Sequence, residues 1–142
     1  MSDQFRPLVI AIDDSPIIRT IIEYTLVRVG VRVVTFADGM SAMRALQEQS
    51  ASAPDLLLVD VDLPRMSGYE VADLLHSAYH DVPIVMLSGH DGLLDKMRGR
   101  LAGAHDFIGK PFKPSELATL VCRRLGIDGP GTARDAGDST RY

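Results

Sequence analysis

Short apolar runs alternate with stretches of helical period along most of the chain. The first run, Leu8-Val9-Ile10-Ala11-Ile12, is uninterrupted and rich in β-branched residues, which suits a strand buried on both faces. Asp13-Asp14 stops it. Ser15 has the chemistry of an N-cap and Pro16 that of a first helical residue. The spacing predicts a helix to about Val29, with Ile18, Ile22, Thr25 and Val29 on one face and Gly30 ending it. Residues 31–36 read as the second strand, and Asp38 as the cap of a helix over about 39–49 that turns Ala42, Ala45 and Leu46 inward. The third run, Leu56-Leu57-Leu58-Val59, ends at Asp60. Residues 61–68 hold Pro64 and Gly68 without helical period and read as a loop. A helix over about 69–79, a strand Ile84-Val85-Met86-Leu87 ending at Ser88, and a helix over 93–101 come next. A short strand Asp106-Phe107-Ile108 and a helix over about 115–125 complete the series. Such alternation, with crossover helices of this length, predicts an α/β domain with a parallel sheet and helices on both faces.

The remainder of the chain changes this picture little. Its 142 residues suit one domain with a sizeable core. We expect that domain at 1–125, followed by a flexible polar tail at 126–142. The net charge of −4 shows no basic stripe, which argues against a nucleic-acid partner. No run reaches the ~18 apolar residues of a membrane span, and no signal peptide is visible, so a cytoplasmic location is the default. The lone Cys122 reads as a small core residue. His90 is expected at the surface, with no second His or Cys at ligand spacing to it, and His76, His80 and His105 are likewise expected at the surface. Met86 fits a core strand, and Leu74, Leu75 and Met97 fit helix faces.

Ligands of an open parallel sheet bind beyond the carboxyl ends of its strands. Those ends carry Asp13 and Asp14, then Asp60, then Ser88, with Lys110 closely following the last strand. Three carboxylates brought together repel one another unless one takes a proton or a cation intervenes. An all-oxygen set suits a hard ion, and magnesium fits best. With the lysine it would stabilise the charge of a transferring phosphoryl group. Asp60 stands apart from the acidic pair and is the candidate nucleophile.

At this point the sequence resembles the receiver domain of two-component response regulators, over about residues 8–125. The matching pieces are IDDSP at 12–16, LLLVDVDLPRMSG at 56–68, VMLSG at 85–89 and KPF at 110–112. Any one piece is common, whereas all four in order, each at a strand end, are specific. The resemblance implies a flavodoxin-like (βα)5 fold with strand order 2-1-3-4-5. It implies phosphorylation on Asp60, with magnesium held by Asp13, Asp14, Asp60 and the backbone carbonyl of Asp62. Ser88 matches the hydroxyl that bonds the phosphoryl oxygens, Lys110 the lysine that pairs with them, and Phe107 the aromatic switch. A cis Lys110–Pro111 bond is likewise implied. The implied phosphodonor is a sensor histidine kinase or histidine phosphotransfer protein. The implied output is a downstream partner or a homodimer, through the face formed by the fourth helix, fifth strand and fifth helix. Asp106 and Arg123 lie where some members of the family form dimer salt bridges. Phe107 lacks the hydroxyl of the tyrosine frequent at its position. Asp62 and His90 occupy positions that tune acyl-phosphate lifetime in the family.

Two other functions fit parts of the chain. VDVD at 59–62 resembles the DxD motif of haloacid-dehalogenase-type phosphatases, with Asp60 as nucleophile and Asp62 as acid/base. That family places its second acidic pair late, whereas here the pair comes first. A receiver-like scaffold without phosphorylation is the other, and the complete residue set argues against it. The expectation is a signalling phosphoacceptor that catalyses only its own phosphorylation and dephosphorylation.

Overall fold

The fold is taken from a computed structural model, which describes residues 6–48, 52–89 and 92–129. Strand and helix alternate throughout: β1 (Leu8–Ile12), α1 (Pro16–Val27), β2 (Arg32–Phe36), α2 (Gly39–Gln47), β3 (Leu56–Asp60), α3 (Gly68–Ala78), β4 (Ile84–Ser88), α4 (Leu93–Leu101), β5 (Asp106–Gly109) and α5 (Pro114–Leu125). The strands form one sheet in the order β2-β1-β3-β4-β5, with every pair parallel.

The period of two along each strand sorts side chains into two cores. Leu8, Ile10, Ile12, Leu57, Val59, Ile84 and Met86 face one side, where Ala42 of α2 and Val71, Ala72 and Leu75 of α3 cover them. Val9, Ala11, Leu56, Leu58, Val85 and Leu87 face the other, beneath Ile22 and Leu26 of α1 and Leu117 and Val121 of α5. All five residues of β1, β3 and β4 are buried, which explains their unbroken apolar character. Cys122 belongs to the buried set.

Local chemistry sets the helix starts. The side chains of Ser15, Asp38 and Ser67 accept hydrogen bonds from the N–H groups of Ile18, Ser41 and Glu70. Several boundaries differ from the expectations. Helix α1 stops at Val27, because Arg28 caps it and the chain turns through Gly30 at φ +87°. Val29 therefore leaves the helical face but still packs against the α1–α5 core. The end expected for α2 at residue 49 lies outside the described residues. The tail expected from 126 begins as structure: Gly126 is a left-handed cap and Ile127 packs on the core. Residues 130–142 lie outside the described part. Leu75 is buried, whereas Leu74 and Met97 are exposed.

Candidate functional site

Parallel register decides which side chains meet. Ile12 pairs with Val59, so Asp13 emerges level with Asp60. Asp60 itself pairs with Leu87, and Ser88 follows. Ser88 pairs with Gly109, and Lys110 follows. The acidic residues, the hydroxyl and the amine are thus brought to one edge of the sheet.

Asp13 and Asp60 are 0% and 3% exposed, while Asp14 is exposed. One carboxylate oxygen from each of the three lies within 4.8 Å of the others. The Lys110 Nζ donates to Asp13 Oδ2 at 2.6 Å and lies 3.2 Å from Asp60 Oδ1. Asp13 is fixed from every side. Its N–H donates to the Phe36 carbonyl at 3.1 Å, and its own carbonyl accepts from Arg19 Nη1 at 2.7 Å. Its Oδ1 accepts from the Ser15 N–H at 2.9 Å. Asp60 Oδ1 accepts from the N–H of Asp62 at 3.1 Å.

Burial, reinforced by the charge of Asp13, raises the Asp60 carboxyl from its ordinary 3.8 to about 6. Lys110 and the Asp62 N–H oppose the rise without cancelling it. Burial pulls the Lys110 ammonium downward, but its bond to Asp13 and the charges of Asp60 and Asp13 outweigh that and raise it. Lys110 therefore stays charged, and Asp60 is a carboxylate held under electrostatic stress. One ammonium does not compensate three carboxylates. A hard divalent cation would relieve the excess, and the clustered all-oxygen donors of Asp13, Asp14 and Asp60 fit one.

The other expected residues are placed as follows. Ser88 is buried at the end of β4. Phe107 is half-buried and packs against the core beneath α2 and α3. The Asp62 side chain is exposed, and its carboxylate is outside the three-residue cluster. The Lys110–Pro111 bond is cis. His80 is exposed, and so is His105, although its Nδ1 accepts from the Ile84 N–H at 3.1 Å. His90 lies outside the described residues. His76 departs from its expected surface position: it is half-buried against Gly103, and its Nδ1 is buried without a partner. Asp106 is paired with Arg124 of the same chain.

Two further residues shape the site: Arg19, which had not stood out in the sequence, and Gly68, read there as a loop residue. Arg19 anchors the Asp13 carbonyl, and its signal was the lone cation of α1, one turn past the Ser15 cap. Gly68 lies under the Asp60 backbone, where a Cβ would fall 2.0 Å from the Asp60 carbonyl oxygen. The Gly68 N–H also donates to the Val61 carbonyl at 2.8 Å, closing the loop after β3. A cavity of about 740 Å³ between α1 and α5 is lined by Thr20, Tyr24 and Ala118 among others and by none of the acidic site residues.

Comparison with known proteins settles the family. The family described as the response regulator receiver domain matches residues 9–122. The chain belongs to that family. Protein PilG of Pseudomonas aeruginosa is 39% identical over 115 residues, covering 80% of this chain and 83% of PilG. The alkaline phosphatase synthesis transcriptional regulatory protein PhoP of Bacillus subtilis is 35% identical over 127 residues, 87% of this chain but only 52% of PhoP. Among solved structures, chemotaxis protein CheY4 of Vibrio cholerae superposes with TM-score 0.76 at 33% identity, covering 84% of this chain and 98% of CheY4. The BeF3-activated DrrB receiver domain gives TM-score 0.78 at 26% identity, covering 86% and 99%. The chain is thus a receiver domain of two-component response regulators, and the dehalogenase-type reading of VDVD is set aside.

Proposed function

We propose that this receiver accepts a phosphoryl group on Asp60 from a phosphohistidine of a sensor histidine kinase or histidine phosphotransfer protein. An Asp60 carboxylate oxygen attacks phosphorus. The bond from phosphorus to the donor imidazole breaks, and its electron pair leaves with the imidazole nitrogen. One observation carries this reading: Lys110 Nζ contacts both Asp13 at 2.6 Å and Asp60 at 3.2 Å, inside a three-carboxylate cluster. Magnesium held by Asp13, Asp14, Asp60 and the Asp62 carbonyl would neutralise charge on the transferring oxygens. Lys110 supplies a second, fixed positive charge, and Ser88 a hydroxyl donor at the end of β4. A structural neighbour described as BeF3-activated supports a pocket that takes a phosphoryl mimic.

The product would draw Ser88 toward its oxygens and let Phe107 turn, shifting the population between two arrangements of α4, β5 and α5. That face suits a partner. Leu93, Leu94 and Leu101 of α4 are 74%, 76% and 85% exposed, beside a groove between β5 and α5 lined by Phe107, Leu120 and Arg123. The assigned output is a downstream partner protein, or a second copy, bound there. With net charge −4 and, among the described residues, no helix long and apolar enough to cross a membrane, neither nucleic acid nor membrane is assigned as partner. Histidine phosphodonors act in the cytoplasm, and the chain is assigned there, with a domain that reaches Ile127 and a polar tail after it.

Acetyl phosphate with magnesium tests the reaction. Intact mass should rise by one phosphoryl group per chain, with slow loss and no sustained ester turnover. Asp60→Asn should abolish the label. A wild-type mass that stays unchanged, or equal labelling of the Asn variant, ends the proposal.

A further inference from the structure

Helix α4 meets the sheet unlike its neighbours. Helices α1, α3 and α5 each bury aliphatic side chains. In α4 the buried residue is Gly99 alone, and its large apolar residues Leu93, Leu94, Met97 and Leu101 face solvent. The ring of Phe107 fills the space at Gly99. A Cβ on Gly99 would lie 2.5 Å from both Cε1 and Cζ of that ring, and 3.6 Å from Met86 Cγ. The ring occupies the volume an alanine methyl would take. Because Phe107 has no hydroxyl, pressing its ring against α4 strands no polar group. A second ring steadies the helix. The Tyr69 hydroxyl donates toward Asp95 oxygens at 3.3 Å, and the Arg98 guanidinium lies 4.3 Å from the Tyr69 ring centroid. Glycine inside a helix is unfavourable compared with alanine. Its presence here is compensated by the seat it gives the ring.

We infer that Gly99 is a notch that seats the Phe107 ring, and that this contact transmits the ring's position to α4 and its exposed apolar stripe. The inference rests on the switch role proposed above for Ser88 and Phe107. It adds a named receiving residue on α4. A side chain at that point would have to change rotamer as the ring moved. A glycine lets the ring enter or leave without one. When the ring leaves, α4 loses that contact and settles differently on the Tyr69 anchor.

The experiment uses the full chain labelled with 4-fluorophenylalanine, the Phe107 resonance being assigned by its loss in Phe107→Leu. In wild type, beryllofluoride with magnesium should shift that resonance. Gly99→Ala should shift it before any addition and lower the urea midpoint. In a Phe107→Leu background the same Gly99→Ala should instead raise the midpoint, because the methyl then has room and alanine favours the helix. That reversal of sign is the signature of the notch. A Gly99→Ala change that raises the midpoint in both backgrounds overturns the inference. So does an unmoved fluorine signal in Gly99→Ala while beryllofluoride still moves the wild-type signal, and that result leaves the switch reading standing. A wild-type signal indifferent to beryllofluoride, in a chain that acetyl phosphate labels, removes both.

Discussion

Replacing Asp60 with asparagine removes the most stressed charge in the domain, and it should stabilise the fold while ending phosphorylation. In the folded chain the Asp60 carboxyl is raised from 3.8 to about 6, chiefly by burial and then by Asp13. A rise of that size disfavours the ionised form by about 3 kcal/mol. The sign follows from which state holds the proton. Between pH 3.8 and about 6 the folded chain keeps a proton that the unfolded chain has released. Below that window Asp60 is neutral in both states and costs nothing. Its cost grows as pH rises through the window and is complete above it. Asparagine keeps the shape and, at the Oδ1 position, an acceptor for the Asp62 N–H and for Lys110, but it removes the negative charge that attracts Lys110, which offsets part of the gain. Asp60→Asn should therefore be more stable than wild type by about 1–3 kcal/mol at pH 7.5 without divalent cations, or roughly 3–10 °C in Tm for a domain of this size. Urea unfolding in EDTA, repeated from pH 4.5 to 7.5, measures it. The difference should shrink toward zero at the acid end, and magnesium should stabilise wild type more than the variant. A less stable variant at pH 7.5, or a difference independent of pH, would refute the claim that buried charge at Asp60 stresses the fold.

Other outcomes follow from the same geometry. Gly68→Ala would drive a Cβ into the Asp60 backbone at 2.0 Å, so a loss of about 2–4 kcal/mol in urea unfolding is expected, together with slower labelling by acetyl phosphate. Lys110→Ala removes the cation that contacts Asp13 and Asp60; magnesium titration should show tighter binding, while the labelling rate falls at least tenfold. Arg124→Ala breaks a partly exposed pair with Asp106, so a stability change below about 1 kcal/mol is expected, shrinking in high salt.

The strands were legible because β1, β3 and β4 are buried on both faces and so carry unbroken apolar runs that end abruptly at polar residues. Their carboxyl ends could be read for chemistry without coordinates, since parallel strands must point the same way. Register was not legible in advance. It takes the ladder that pairs Ile12 with Val59 and Asp60 with Leu87 to place the amine of Lys110 on two carboxylates. Contacts made by backbone were hidden for a similar reason. Gly68 beneath Asp60 and Arg19 on the Asp13 carbonyl depend on how a helix leans, which no local pattern records. Helix α4 shows the limit of periodicity. Leu93, Leu94, Met97 and Leu101 recur at helical spacing, which locates the helix, yet the residue it buries is Gly99. His76 is a comparable case, a polar residue on α3 drawn half under cover by the turn at Gly103, φ +104°.

Borohydride reduction of the chain after brief treatment with acetyl phosphate and magnesium, followed by peptide mass mapping, tests the central claim most directly. An aspartyl phosphate at residue 60 should appear as homoserine at that position and nowhere else. Homoserine at Asp13, Asp14 or Asp62 with Asp60 intact would contradict the assignment of the nucleophile.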